Sequence, residues 1–262
     1  MIAMKLGQGL LALAVFVVLL FAVLLRRPTI VDGTELGYRL PAGAPKEVEE
    51  VVRGRVAALG LGADVTLDKD LLLIQVPNAK PEDVADVKRL LRRAGKLEFR
   101  PAAAREIQEK HRADAVVPDG YEAVEHVRDD AEYKPWTPTM LIRKACALEG
   151  GRIIHAEPRT QPAAGGPAWV VSFELDAKGA KKFDETAAVL WAWKPPGLIA
   201  ILLDGKLVMA PAVQAAEFGG SAQITCASER EAKDLAIVLT TGPLPIPLGQ
   251  EPEFERPFRK ER

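Results

Sequence analysis

The chain has 262 residues, of which 48% are hydrophobic and 27% charged, with a formal net charge of −1. This composition describes an ordinary folded protein with room for one or two domains. It leaves no basic footprint for nucleic acid, which is excluded as a partner. The first element is apolar: Lys5 precedes an unbroken run from Leu10 to Leu25, closed by Arg26 and Arg27. Counted from Leu6, the stretch approaches the roughly 20 residues that cross a bilayer as a helix. In lipid the backbone satisfies its own hydrogen bonds only in a helix or a closed barrel, so residues 6–27 are expected to form one transmembrane anchor. A cleaved signal peptide is the competing reading, and Leu24-Leu25 running into two arginines is a poor cleavage context. Lys5 and the amino terminus nearly balance Arg26 and Arg27, so charge alone does not orient the span.

A linker follows, with a short strand at Leu36–Leu40. Val48, Val51, Val52, Val56 and Leu59 share one face of a helix over 46–59, stopped by Gly60 and Gly62. Val65–Leu67 and Leu71–Val76 predict a hairpin around Asp68-Lys69-Asp70. A second helix carries Pro81 in its first turn and Val84, Val87, Leu90 and Leu91 inward; Arg92 and Arg93 suit its C-terminal dipole. Lys96–Arg100 alternates as a half-buried strand. Strand, helix, strand, strand, helix, strand is the split βαβ, ferredoxin-like order, closed within residues 28–101. The charged stretch 102–137 predicts a short helix near 103–113 and a turn at Asp119-Gly120.

From Met140 the pattern is β-rich. Trp169–Leu175 alternates as a strand, and Asp176 caps a helix whose inner face is Ala180, Phe183, Ala187 and Leu190. Leu198–Leu203 and Lys206–Met209 flank Asp204-Gly205, a dipeptide that accepts the positive φ of a type I′ turn. Ala222–Thr225 predicts another strand. Ser228 and Glu231 have capping-box spacing before a helix with Ala232, Leu235, Ala236 and Leu239 on one side, stopped by Gly242-Pro243. Pro243–Pro247 reads as an edge strand or connector, and 251–262 as a loose polar tail.

Chemistry is sparse. His111, His126 and His155 have no ligand spacing, no G-x-S-x-G or Walker sequence occurs, and Gly60-Leu61-Gly62 follows a helix, the wrong order for cradling phosphate. No metal, cofactor or catalytic residue is expected, and the chain does not read as an enzyme. Cys146 and Cys226 lack CxxC partners; one disulfide in an oxidising compartment and two buried thiols are both open readings. Trp191 and Trp193, two apart at a helix end, cannot both face one narrow core stripe. With Met209 they are the candidate contact surface for a polypeptide; Asp204 and Gly205 are structural turn residues.

The order of segments resembles the first extracytoplasmic domain of the SecD family, an auxiliary subunit of the bacterial Sec export channel, together with its first membrane helix. The segments are Leu36-Gly37-Tyr38-Arg39-Leu40, Arg53 to Gly60, Leu73-Ile74-Gln75-Val76-Pro77, Gly95-Lys96-Leu97-Glu98-Phe99-Arg100, Val171 to Leu175 with Gly179 to Phe183, Ile199 to Gly205, Gly219 to Thr225, Glu231 to Ala236 and Gly242 to Leu248. Together they run over roughly residues 8–250. Asn78 stands where the family has glycine, and Val31-Asp32-Gly33-Thr34-Glu35 replaces its Asp-Leu-x-Gly-Gly segment. The resemblance implies an α+β protein: the anchor, a ferredoxin-like base over 28–101, an α+β head with its return segment over 102–250, and the tail. It implies a body on the periplasmic side of the cytoplasmic membrane, a head that swings on the base and holds an unfolded secretory polypeptide, and partners in the Sec channel or SecD/SecF-type subunits. The family's charged intramembrane residues have no counterpart in this sequence, so the expectation is an export module without its own proton-driven motor. The alternatives are a stand-alone envelope scaffold that kept the fold alone, and an envelope enzyme with a site in 102–137.

Overall fold

The computed structural model describes residues 30–125, 139–163 and 166–261. The expected anchor at 6–27, His126 and part of the 102–137 stretch lie outside the described residues. Among the described residues no helix is long and apolar enough to cross a membrane.

The first unit begins with β1 (Ile30–Arg39), α1 (Glu47–Ala57), β2 (Asp64–Asp68), β3 (Leu71–Pro77) and α2 (Pro81–Leu91). Its sheet is completed by the last strand of the chain, β13 (Phe254–Glu261), in the order β13-β1-β3-β2, with every neighbour antiparallel. One face of the sheet carries Leu36, Tyr38, Leu72, Ile74 and Val76, which pack with Val48, Val52 and Val56 of α1 and with Val84, Val87 and Leu91 of α2. The helical spacing of those valines and leucines therefore does what the period predicts. Two expectations are corrected here. Lys96–Arg100 does not close this sheet, and 251–262 is not a loose tail: Phe254–Glu261 occupies the fourth position. On the outer face, the Phe254 and Phe258 rings sit where Cβ atoms on Gly37 and Gly33 would stand. Arg256 pairs with the buried Glu35, and Arg259 with Asp32. This pairing also extends β1 back to Ile30, beyond the expected start at Leu36.

The chain then crosses into a second unit. β4 (Leu97–Pro101) lies inside a sheet ordered β11-β10-β4-β7, formed with β7 (Leu148–Glu149), β10 (Ile199–Leu203) and β11 (Lys206–Met209). β10 is buried on both faces. Ile199 and Ile201 join one core and Ala200 and Leu202 another, which is why its sequence is an unbroken apolar run. The larger core lies between this sheet, a three-stranded sheet ordered β12-β9-β8, and two helices. The strands are β8 (Ile153–Gln161), β9 (Ala168–Leu175) and β12 (Ser221–Cys226); the helices are α4 (Ala177–Trp191) and α5 (Glu229–Thr241). The smaller core is closed by Val124 and Met140 of a hairpin, β5 (Tyr121–Glu125) and β6 (Thr139–Arg143). α3 (Arg105–Asp114) is docked on that hairpin by Gln108, whose amide donates to Leu141 O and accepts from Leu141 N.

The caps follow the sequence. Asp176 accepts from Gly179 N at 2.6 Å, and Ser228 Oγ accepts from Glu231 N at 3.1 Å. Asp204 and Gly205 have φ of 53° and 78°, as a type I′ hairpin turn requires. The 243–247 segment is a connector that, with the next residue, buries Leu244 and Leu248 in the first unit's core. The chain thus crosses between the units twice, and the crossings touch: Leu244 N donates to Ala94 O at 2.7 Å.

Candidate functional site

A cleft of about 690 Å³ opens in the second unit. Its polar side comes from strand alternation. β9 is the central strand, and Ser172 stands between Glu157 of β8 and Gln223 of β12, with Glu174 opposite His155 and Ser221. All of these line the cleft. Arg159 pairs with Glu157 at the rim. The Ser172 hydroxyl is buried and meets no hydrogen-bond partner among the described residues. The apolar side is aromatic. Phe99 sits 5.7 Å from Phe173 and 5.7 Å from Phe183, and Phe183 sits edge-on to Phe218 at 5.5 Å. The segment after β11 forms the remaining wall. Ile199 N donates to Pro211 O at 3.1 Å and Val213 N donates to Gly197 O at 2.9 Å, so Ala212 forms an antiparallel bridge with Leu198 just before β10. β12, on the other side, is an edge strand.

Such a site offers apolar surface, polar side chains and a strand edge. That combination suits an extended peptide, which adds backbone bonds at the edge and places alternate side chains in the groove. His155 has Glu157 at 3.9 Å on an exposed rim, and no group of three metal-ligating side chains occurs among the described residues.

The sequence-derived candidates fall elsewhere. Trp191, Trp193 and Met209 do not line this cleft. Trp191 is 41% exposed at the end of α4. Trp193 and Met209 are half-buried against the larger core, and Trp193 lines a separate cleft of about 590 Å³ with Pro195, Pro196 and the start of α3. Asp204 does more than turn a hairpin: its carboxylate accepts from Lys96 N at 2.8 Å, tying the turn to the first crossing. Cys146 and Cys226 are not joined in a disulfide. Cys146 donates to Leu148 O at 3.0 Å, and burial pushes its thiol above its ordinary value. Sequence reasoning missed β8, whose residues are mostly exposed and include Pro158, and it missed Phe218, an isolated aromatic in a Gly-rich turn.

A second arrangement lies where the units join. Arg55 of α1 is fully buried. Its guanidinium donates to Leu90 O and Arg93 O at the end of α2, to Ala94 O at 2.9 Å in the first crossing, and to Gly242 O at 2.9 Å in the second. Burial pulls its pKa down to about 10, so it remains a cation at neutral pH. Carbonyl oxygens at two helix ends suit that charge.

The SecDF P1 head subdomain model matches residues 124–246. Over 229 residues, 82% of the chain, it is 31% identical to the protein translocase subunit SecD of Magnetococcus marinus; over 226 residues it is 33% identical to that of Rhodobacter capsulatus. The chain carries a SecD-family P1 domain. It spans 41% and 37% of the lengths of those two relatives. Among solved structures, SecDF in a super-membrane-facing form superimposes with a TM-score of 0.63 at 22% identity, covering 96% of this chain and 35% of that one. A second, described as a membrane component SecDF that enhances protein export, gives 0.59 at 22% identity, covering 82% and 96%. The SecD-family P1 domain here therefore has the mixed α+β fold of SecDF, and its head match takes in most of the cleft's walls.

Proposed function

We propose that this P1 domain is the extracytoplasmic part of a protein-export subunit and that its second unit holds a translocating polypeptide in extended form. The first unit is the base, a split βαβ layout whose fourth strand is β13, and the second is the head. Residues 6–27 tether both to the cytoplasmic membrane, with the body on the periplasmic side, next to the Sec channel or a SecF-type subunit. The observation that carries this reading is the cleft itself: an aromatic floor, an edge strand at β12 and a polar wall that includes the buried, unpartnered Ser172 hydroxyl. An unfolded chain of any sequence provides the two things such a groove binds, backbone amides and scattered apolar side chains. Trp191, Trp193 and Met209 are flanking contacts in this reading. Photocrosslinking tests it. A benzophenone side chain at Gln223, Ala212 or His155 is expected to capture an arrested secretory precursor, with weaker capture from Trp191, Trp193 and Met209. Absence of adducts to precursor from every cleft position defeats the proposal.

A further inference from the structure

α4 has two unlike faces. Phe183, Ala187 and Leu190 are buried in the core of the head. The opposite face follows the same three- and four-residue spacing and is exposed throughout. Its first half is Lys178, Lys181 and Lys182; its second half is Ala188, Val189 and Ala192; Glu185 stands between them. Val189 is 60% exposed, and Trp191, beside Ala188, is 41% exposed.

The charge on this face opposes the helix that carries it. The N-terminal end of a helix is the positive end of its dipole, which favours carboxylates and disfavours lysines. α4 has no acidic residue in its first turn, and the three lysines fill its first two turns. Among the described residues none of the three ammonium groups has a carboxylate within 4.0 Å. The nearby acids are committed elsewhere: Asp176 caps the helix and pairs with Arg152, and Asp184 accepts from Phe218 N. α5 shows the ordinary arrangement, opening on Glu229 and Glu231 and pairing Lys233 with Glu229 at 2.8 Å. Stability of the chain explains neither the unpaired lysines of α4 nor the bare Val189 and Trp191, so the face is shaped for something outside the chain. An identical face offers the lysines one carboxylate, Glu185, so a second copy does not supply what they lack.

We propose that the outer face of α4 docks on an anionic lipid bilayer, with Lys178, Lys181 and Lys182 at the phosphates and Val189 and Trp191 in the interfacial layer. Anionic headgroups supply the negative charge that the chain withholds from the lysines, and the headgroup boundary accepts the indole and the valine side chain. Long lysine stems keep their ammonium groups at the phosphates while the apolar end of the helix sits deeper. Residues 6–27, as the tether proposed for this domain, keep that bilayer close, so a patch of modest intrinsic affinity acts at high local concentration. The inference rests on that tether for proximity and not on polypeptide binding, because the patch shares no residue with the walls of the head cleft.

The test uses the full chain in lipid vesicles, with a nitroxide on Val189→Cys in a Cys146→Ser, Cys226→Ala background whose melting matches the native protein. Collisions with dissolved oxygen, which enters lipid, and with a water-soluble nickel chelate report where the label lies. In vesicles rich in phosphatidylglycerol the label is expected to lose nickel collisions about threefold relative to phosphatidylcholine alone and to gain oxygen collisions. A label on exposed Glu50→Cys of α1 is expected to be the same in both lipids. Salt at about 0.5 M is expected to reverse the protection. Lys178→Gln, Lys181→Gln and Lys182→Gln together are expected to abolish it while melting no lower than the native protein, since the lysines oppose the dipole of α4. Flotation with phosphatidylcholine vesicles reads the tether separately: a chain that floats while its Val189 label stays in water on anionic lipid defeats this proposal and leaves the tether standing. Equal protection in the two lipids, or protection that survives the three substitutions, also overturns it. So does a label that is covered only by an added acidic protein, which makes the partner a protein.

Discussion

At the scale of single residues, Arg55 carries more than its position in α1 suggests. In the sequence it is one arginine among many, at a helical position between Gly54 and Val56, and nothing local marks it as buried. Its role depends on where α2 and α5 end, which only the tertiary arrangement reveals. Arg55→Met removes donors from carbonyls in both crossings. We expect it to destabilise the protein by about 2–4 kcal/mol, measured by denaturant unfolding, because hydrogen bonds to a charged group carry more than neutral ones. Gly37 is the opposite case, a small residue whose size is the point. A Cβ there would stand 2.3 Å from the Phe254 ring. Gly37→Val is expected to cost about 1–3 kcal/mol through overpacking and to free β13, which proteolysis between Gly249 and Phe254 would register.

Among elements, the long periodic ones were legible and the paired edges were not. α1, α2, α4 and α5 follow from apolar spacing and from caps such as Asp176 and Ser228, all local signals. The partner of β4 was not local. Lys96–Arg100 alternates as a strand, but alternation does not say which sheet receives it. Leu97 and Phe99 pack with Leu148 and Ile201 of the second unit, and that set of long-range contacts decided the matter. β13 reads as a polar tail because Arg256 and Arg259 find their carboxylates on β1, more than two hundred residues away. The cleft is legible only in pieces: Phe183 falls on the inner face of its helix and Phe99 and Phe173 on alternating strands, but Ser172, Gln223 and Phe218 have no signal of their own. The β10–β11 hairpin was legible because its turn chemistry is specific. At φ 78° Gly205 occupies a conformation that β-branched residues resist. Gly205→Val is expected to lower stability by about 1–2 kcal/mol, with Asp204 losing its hold on Lys96; unaltered thermal unfolding would contradict this.

Across the whole molecule, two buried acids set the response to acid: Glu35 ties strands far apart in the sequence, and Glu98 pairs with its own neighbours Lys96 and Arg100. Burial pushes Glu35 up, but donors from Gln75 and Arg256 outweigh it and hold the carboxyl below its ordinary value of 4.5. Burial likewise pushes Glu98 up, and Lys96 and Arg100 outweigh it. A folded pKa below the unfolded one gives stability that is fully present above the unfolded value and lost as pH falls through the folded value. Unfolding free energy is therefore expected to be level down to about pH 5 and to decline below it, the range where free carboxylates titrate. Glu35→Gln and Glu98→Gln together should flatten that decline in denaturant titrations across acid pH.

The contact between Ala94 and Leu244 has a last consequence. A hydrogen-bonded pair of residues marks both the exit and the re-entry of the chain, so the first unit is a socket with a narrow mouth. A short loop bridging those two points replaces some 150 intervening residues without stretching the backbone, and another body with neighbouring termini fits the same mouth. The two units are thereby separable parts, exchangeable like fittings on a common mount.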